Sequence, residues 1–359
     1  MTGSTFRRGL AVAATIALIA ALPASAAIIK EHRTIRSGNL EVRNLIGEVH
    51  VEGHEGAAFE VDITIQGADA NEGLVTIEEN GDVLSIVFPR QGDFVYPRLG
   101  PGSRTSFSFN DGDSSWLGEI LGDLFRRGRI EVRGSGKGLE VWADLTIRVP
   151  HGSDLVVRHG VGQLDASGVE GNVDLRIRSG HAGAERIDGN LVVDTGSGHV
   201  NVQDVRGNVS IDTGSGHVEA SGLAGSLVNI DTGSGHVDLD DVRTEELRID
   251  TGSGRVEARR ISTDSADIDT GSGGVTLELD HMGEGNYRID TGSGGITMRL
   301  PSDASADFKA ETGSGGIHVD LEEGVKLRRM ERNEASFSVG GGGARVVLDT
   351  GSGGIRITR

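Results

Sequence analysis

The sequence predicts an all-β protein, a parallel β-solenoid (β-helix) of about 18- to 21-residue turns with a β-rich N-terminal part and an aromatic-rich insertion. Two observations carry that prediction. The pentapeptide Asp-Thr-Gly-Ser-Gly begins at Asp194, Asp212, Asp231, Asp250, Asp269, Asp290 and Asp349, and an eighth copy is led by Glu311. The spacings are 18, 19, 19, 19, 21 and 21 residues, then 38, which reads as two further periods of 19. A constant short period marks an array in which each turn is one unit stacked on the next. Apolar and polar residues also alternate on both sides of each copy, as strands with one buried face require.

Taken in order, the first 26 residues read as an export leader. Arg7 and Arg8 supply its positive start, Leu10 to Leu22 its apolar stretch and Ala24-Ser25-Ala26 a small-residue cleavage site. A stretch of 13 residues is too short to span a bilayer as a helix. The residues around the arginine pair match a twin-arginine signal poorly, so the general secretory route is expected. Residues 27–88 form a β-rich N-terminal part of the solenoid domain. Within it Arg43-Asn44-Leu45-Ile46-Gly47, followed by Val49 and Val51, matches a first turn of the array.

Residues 89–138 differ in character. Eight of the chain's 13 aromatic residues fall between Phe88 and Trp142, among them Phe94, Tyr96, Phe107, Phe109, Trp116 and Phe125. Asp113-Ser114-Ser115 is expected to cap a short helix carrying Trp116, Ile120, Leu121, Leu124 and Phe125 on one face. Arg126, Arg127 and Arg129 follow where the helix dipole favours cations. Two readings are open. The insertion is a flap over an open end of the solenoid, which would otherwise expose sheet edges, or it contacts a partner or membrane through those six aromatic residues.

Residues 139–359 hold the repeats. Gly171-Asn172, Gly189-Asn190 and Gly207-Asn208 recur every 18 residues and extend the register back to Arg176 and Arg158. Val193, Ile211, Ile230, Ile249, Ile268 and Ile289 are expected to form one buried column of parallel, in-register strands. About eleven turns from Arg158 onward, with strands about 4.8 Å apart, give a rod about 50 Å long. The 57 glycines are expected at corners that pass through positive φ.

The formal charge is −19. Without the two leader arginines, 33 basic residues face 54 acidic ones, which leaves −21. That balance argues against nucleic acid and anionic lipid, both of which require positive charge. It suits solubility, cation binding or contact with basic surfaces. With no cysteine there is no disulfide framework, thiolate metal site or lipid-attachment site. No segment after the leader is long and apolar enough to span a membrane.

Several motifs suggest chemistry. Val192-Val193-Asp194-Thr195-Gly196-Ser197 resembles the catalytic loop of aspartic proteases, but that reaction needs two carboxylates sharing a proton across a cleft. Copies stacked along one edge offer no such pair. The Gly-rich corners lack the lysine and the following helix of a phosphate loop. Asp194, Asp212, Asp231, Asp250, Asp269 and Asp290 form a carboxylate column. At ~4.8 Å neighbours repel by roughly 0.9 kcal/mol in water, and about four times that at an effective dielectric of 20. Each carboxylate is expected to accept a backbone amide of its own turn. A Ca²⁺ ladder is the alternative, although the calcium-binding nonapeptide pattern is not matched. His181, His199, His217 and His236 form a second column, either a solvent-exposed corner ladder, a pH-sensitive stripe or a transition-metal site. The threonines after the aspartates are expected to form a hydrogen-bonded ladder.

These residues also carry a resemblance. The approach strand Ala143-Asp144-Leu145-Thr146-Ile147-Arg148-Val149-Pro150, the turn Gly152-Ser153-Asp154-Leu155-Val156-Val157-Arg158 and the Thr-Gly-Ser-Gly corners followed by Val or Ile resemble the bacterial DUF4097 family. Gly340-Gly341-Gly342-Gly343 before Arg345 to Thr350 is similar to that family's last coil. The resemblance implies a β-solenoid, an exported protein and an adhesin label, with no catalytic residues to carry over. The expectation is therefore a non-catalytic protein of the periplasm, cell surface or exterior that presents a repetitive surface to an envelope, surface or polysaccharide partner. The alternatives are an envelope signalling or structural protein that docks through residues 89–138 and, with less support, a carbohydrate-active β-helix enzyme.

Overall fold

The computed structural model describes residues 27–89, 92–109, 128–321 and 324–359. The expected leader (1–26) and the helix expected over 113–125, with Trp116 and Phe125, lie outside the described residues. The chain is a parallel β-solenoid. Each level has two main walls and a short third side. The first wall ends in the Asp-Thr pair, and the second begins after the Gly-Ser-Gly corner. Strand Val218–Thr232 lies parallel on Val237–Thr251, and that strand on Val256–Thr270, each residue facing its counterpart one period on.

Alternation supplies the interior. Val193 faces Ile211, then Ile230, Ile249, Ile268 and Ile289 in turn, and none is more than 2% exposed. The expected column is therefore present. On the second wall Val200, Val218, Val237, Val256 and Val275 stack in the same way. Burying each such side chain contributes roughly 1.5–3 kcal/mol, and a single level has no core without its neighbours. A second corner recurs at Arg186, Asp204, Gly222, Asp241 and Arg260, whose φ values lie between 52° and 66°. Glycine suits that left-handed geometry, and aspartate tolerates it through local polar contacts.

The order of the last levels differs from the linear reading of the 38-residue gap. Strands Ala344–Thr350 and Ile355–Thr358 lie between the coil of Asn286–Thr291 and Ile296–Arg299 and the coil of Ala306–Thr312 and Ile317–Asp320. The chain skips a level, builds the outermost coil, turns out into the hairpin Val325–Met330/Glu334–Val339, and returns to fill the gap. This threading pairs the last strands on both edges, which ties down a segment that would otherwise fray.

Antiparallel strands close both ends of the stack. At the N-terminal end Asn39–His54 lies directly on Asp154–Ser167. Beyond it the first wall continues through Val83–Val87 to Thr76–Asn80. The second wall continues through Trp142–Pro150 and Phe59–Gln66 to Ile29–Ile35. The described part of the 89–138 insertion lies beside the stack and not over its end. Its strands Phe94–Val95, Arg104–Phe109 and Gly128–Arg133 form a separate small sheet. That sheet lies along the flank of the first levels, where Arg98 reaches Glu48 at 2.9 Å and Asp144 at 3.1 Å. Thr105 Oγ1 bonds Ser179 Oγ at 3.0 Å.

One buried residue links this core to pH. His159 is fully buried between Asn44 of the level below and Ile177 of the level above. In the Nε2–H tautomer it donates to the Gly47 carbonyl at 2.9 Å. Burial pushes its pKa down to about 4 against the hydrogen bonds to Gly47 and Asn44. The unfolded chain therefore takes up this proton first. The stabilisation is fully present above the unfolded value near 6.5 and is lost as pH falls toward 4. The size is on the order of 3 kcal/mol. Melting followed by circular dichroism should show stability falling between pH 6.5 and 4.5. His159→Ile, which places the next level's residue there, should flatten that slope.

Candidate functional site: the carboxylate and imidazole ladders

The Asp-Thr-Gly-Ser-Gly corner divides its side chains between two directions because neighbouring strand residues point to opposite faces. Thr points inward. Thr251 Oγ1 accepts the Gly254 amide at 3.0 Å and donates to the Gly235 carbonyl of the preceding level at 3.2 Å. Thr270, Thr291, Thr312 and Thr350 repeat both bonds at 2.7–3.1 Å. The expected threonine ladder is thus a chain of bonds running up the rod. It fades at the start of the array, where the buried Thr195 and Thr213 hydroxyls find no partner.

Asp points outward. Among the described residues, no carboxylate of this column accepts a backbone amide, which corrects the expected local relief. The hydroxyl of the adjacent threonine occupies the inner side of the corner and takes the amide instead. Up the stack the column reads Arg43, Arg158, Arg176, then Asp194, Asp212, Asp231, Asp250, Asp269, Asp290, Asp349 and Glu311. It is basic for three levels and acidic for eight.

Crowding shows in the titration of the acids. Partial burial and then Asp212 and Asp250 push the Asp231 carboxyl above its usual range. Partial burial and then Asp290 and Asp250 do the same to Asp269, and burial, Asp290 and Glu311 to Asp349. Arg288 is the local counter-charge, 2.8 Å from Asp290, 3.5 Å from Asp267 and 3.9 Å from Asp269. Asp231, Asp250, Asp267, Asp269, Arg248 and Arg288 line an open groove of about 320 Å³. Sequence reasoning missed Asp267 and Arg288, whose signal was their position two residues before a motif aspartate. It also missed the asparagine ladder, in which Asn172 and Asn190 Oδ1 each accept the amide of the next level's asparagine at 3.0 Å.

The histidines sit just beyond the corner. His181 stacks on His199 at 5.5 Å and His199 on His217 at 5.2 Å, both pairs with planes 14° apart. His236 turns edge-on to His217 at 82° and its Nδ1 accepts the Arg255 amide at 3.1 Å. Burial, then the neighbours His217 and His181, hold His199 below its ordinary pKa. Face-to-face rings direct their nitrogens side by side rather than toward a common point. Among the described residues no three His, Asp or Glu side chains converge as a metal-binding group.

Three of the proposed contact aromatics are corrected. Phe94, Tyr96 and Phe107 are at most 2% exposed. Phe94 meets Phe88 edge-on at 5.8 Å and Tyr96 meets Trp142 edge-on at 5.7 Å. Phe94 and Tyr96 form the seam between the small sheet and the rod, Phe107 is buried opposite Ile130 of its own sheet, and none of the three is available to a partner. Phe109 ends its strand opposite Gly128. No helix among the described residues is long and apolar enough to cross a membrane.

A family model described as Toastrack DUF4097 matches residues 143–358. No curated protein matches the chain. Three solved structures are similar to it. One is named a putative adhesin from Bacteroides fragilis, with 13% identity, coverage of 93% of this chain and 98% of that one, and a TM-score of 0.37. Another is named a putative lipid binding protein from Parabacteroides distasonis, with 12% identity, 91% and 96% coverage, and a TM-score of 0.38. The third is named a putative cell adhesion protein from Clostridium sporogenes, with 9% identity, 92% and 99% coverage, and a TM-score of 0.18.

The carboxylate column generates a prediction with a defined sign. A carboxyl raised in the fold favours the protonated native state, so its ionisation costs stability as pH rises. Asp231→Asn and Asp269→Asn should each raise the melting temperature at pH 7 by about 1–2 °C. The gain should shrink in about 0.5 M salt, where screening already shortens the repulsion. Calorimetry in a salt series checks both, and a lowered melting temperature in either variant would mean that the aspartate holds the corner together.

Proposed function

The chain belongs to the DUF4097 family, and on that premise we propose that it is a non-catalytic binding protein of the cell envelope or exterior. The carboxylate column carries this reading. Eight acidic side chains repeat at one strand spacing on an open wall, with a groove beside them and few counter-charges. Such a row suits an extended partner bearing positive charge at intervals, a basic segment of an envelope protein or an amino-substituted polysaccharide. Each contact alone is weak and screened, but a run of them acts together once the first is made. The leader-like residues 1–26 support exit from the cytoplasm, and the net negative charge supports neither nucleic acid nor an anionic membrane as the partner.

The absence of any singular level in the repeat supports binding over catalysis. General acid-base chemistry needs paired groups whose environments push their pKa values apart. Here the aspartates repeat one corner position, and Asp231, Asp269 and Asp349 all shift the same way, upward. Docking through residues 89–138 draws less support, because Phe94, Tyr96 and Phe107 are committed to the core.

The test replaces Asp212, Asp231, Asp250 and Asp269 together by Asn and measures retention on native envelope preparations. Binding by the wild-type chain should weaken at least tenfold in the variant, with circular dichroism unchanged and melting equal or higher. Equal retention of the folded variant would place the binding surface elsewhere.

A further inference from the structure

We propose that the rod joins head to tail with a second copy of itself, the acidic edge strand Thr76–Asn80 of one copy docking antiparallel on the basic edge strand Val325–Met330 of the next. Both are terminal strands of the first wall. Among the described residues, Thr76–Asn80 pairs only with Val83–Val87, and Val325–Met330 only with Glu334–Val339. Each therefore offers a row of backbone donors and acceptors to a further strand.

The two edges are opposite in charge. Thr76–Asn80 carries Glu78 and Glu79 and no basic residue, and from Gly67 to Phe88 the chain has five acidic residues and no basic one. Val325–Met330 carries Lys326, Arg328 and Arg329 and no acidic residue. Arg328 pairs with Asp307 at 2.9 Å and Arg329 with Glu331 and Glu334 at 2.9 and 3.0 Å, and Lys326 makes no ion pair among the described residues. Charges on an edge strand ordinarily serve to prevent pairing. Opposite signs at the two ends do so only for like ends, and they favour the unlike joint. The apolar exposure follows the same pattern. Four large apolar side chains are exposed among the described residues, and three lie at the ends: Leu327 at 61%, Met330 at 44% and Ile28 at 63%.

Direction and height also agree. Val325–Met330 runs with the array, being antiparallel to a strand that is itself antiparallel to Ala306–Thr312. Thr76–Asn80 runs against the array, so the pair meets antiparallel. The ends are stepped. Beyond the outermost coil the first wall carries two extra strands, while the second wall stops at Ile317–Asp320, whose first amide bonds the Arg332 carbonyl. Beyond Asn39–His54 the first wall carries two strands and the second wall three. At a joint the first wall would contribute four strands between the two rods. The second wall would contribute three, and the Arg332 segment stands at the remaining level. A contact of this kind is heterologous and does not close on itself, so it gives chains of rods.

Sedimentation equilibrium tests this on the full chain, expressed with residues 1–26 in place so that any processing takes its course. At about 50 mM salt the average mass of the wild type should rise with concentration past that of a dimer, and the rise should weaken in about 0.5 M salt. Glu78→Arg with Glu79→Arg reverses one end, and Lys326→Glu with Leu327→Glu leaves two acidic against two basic residues at the other and so cancels its charge. All four side chains are exposed, so both variants should keep the wild-type circular dichroism. Each variant alone should stay monomeric, and an equimolar mixture should regain association. A wild type that remains monomeric, a variant that still self-associates, or a mixture that does not associate would each overturn the proposal.

Discussion

The close approach of successive corners is the constraint on which the rest of the structure depends. A Cβ added at Gly235, Gly254 or Gly273 would run into the carbonyl oxygen of the preceding corner's glycine. Only glycine lets the backbones stack at strand spacing there. That spacing then fixes everything around it. It sets Thr251 within reach of both its own corner and the one below, and it locks the register that buries the Val193-to-Ile289 column. It also brings the outward aspartates into a row close enough to raise one another's pKa.

The site follows from the fold by this geometry alone. A corner that cannot vary forces the residues beside it into columns, and any side chain placed there is multiplied up the rod. The basic start of the column at Arg43, Arg158 and Arg176 and its acidic remainder give the wall a polarity along its length. The histidine ladder is a second product of the same stacking, spread over four levels and then replaced by Arg255. The ends carry different chemistry because there the stacking must stop, and opposite charges accumulate on the two terminal strands of one wall.

Much of this is legible in the sequence because the period fixes which residues align. The buried column, the Asp, Thr and His registers and the early coil at Arg43 all follow from counting. The order of the last levels does not, since the Asp349 and Glu311 corners carry nearly the same motif and either could lie on the Asp290 level. Only the hairpin between them, which needs an outermost position, decides it. The division of labour between Asp and Thr was also hidden, because both residue types cap turns and the choice rests on which faces inward. Phe94 and Tyr96 read as a contact surface because the residues that bury them, Phe88 and Trp142 among them, lie outside their own segment. The stepped ends come from pairings between strands far apart in the chain, which no local pattern records.

The measurement that bears most directly on this account is the stability of Gly254→Ala beside that of Gly274→Ala. The two glycines lie in neighbouring levels. A Cβ at Gly254 meets the Gly235 carbonyl and Thr251 Oγ1, whereas one at Gly274 has its nearest neighbour at 3.4 Å, an ordinary contact. The account predicts that Gly254→Ala lowers the melting temperature sharply and removes amide-exchange protection in the levels on either side. Gly274→Ala should stay close to the wild type. Near-wild-type melting and exchange in Gly254→Ala would contradict it.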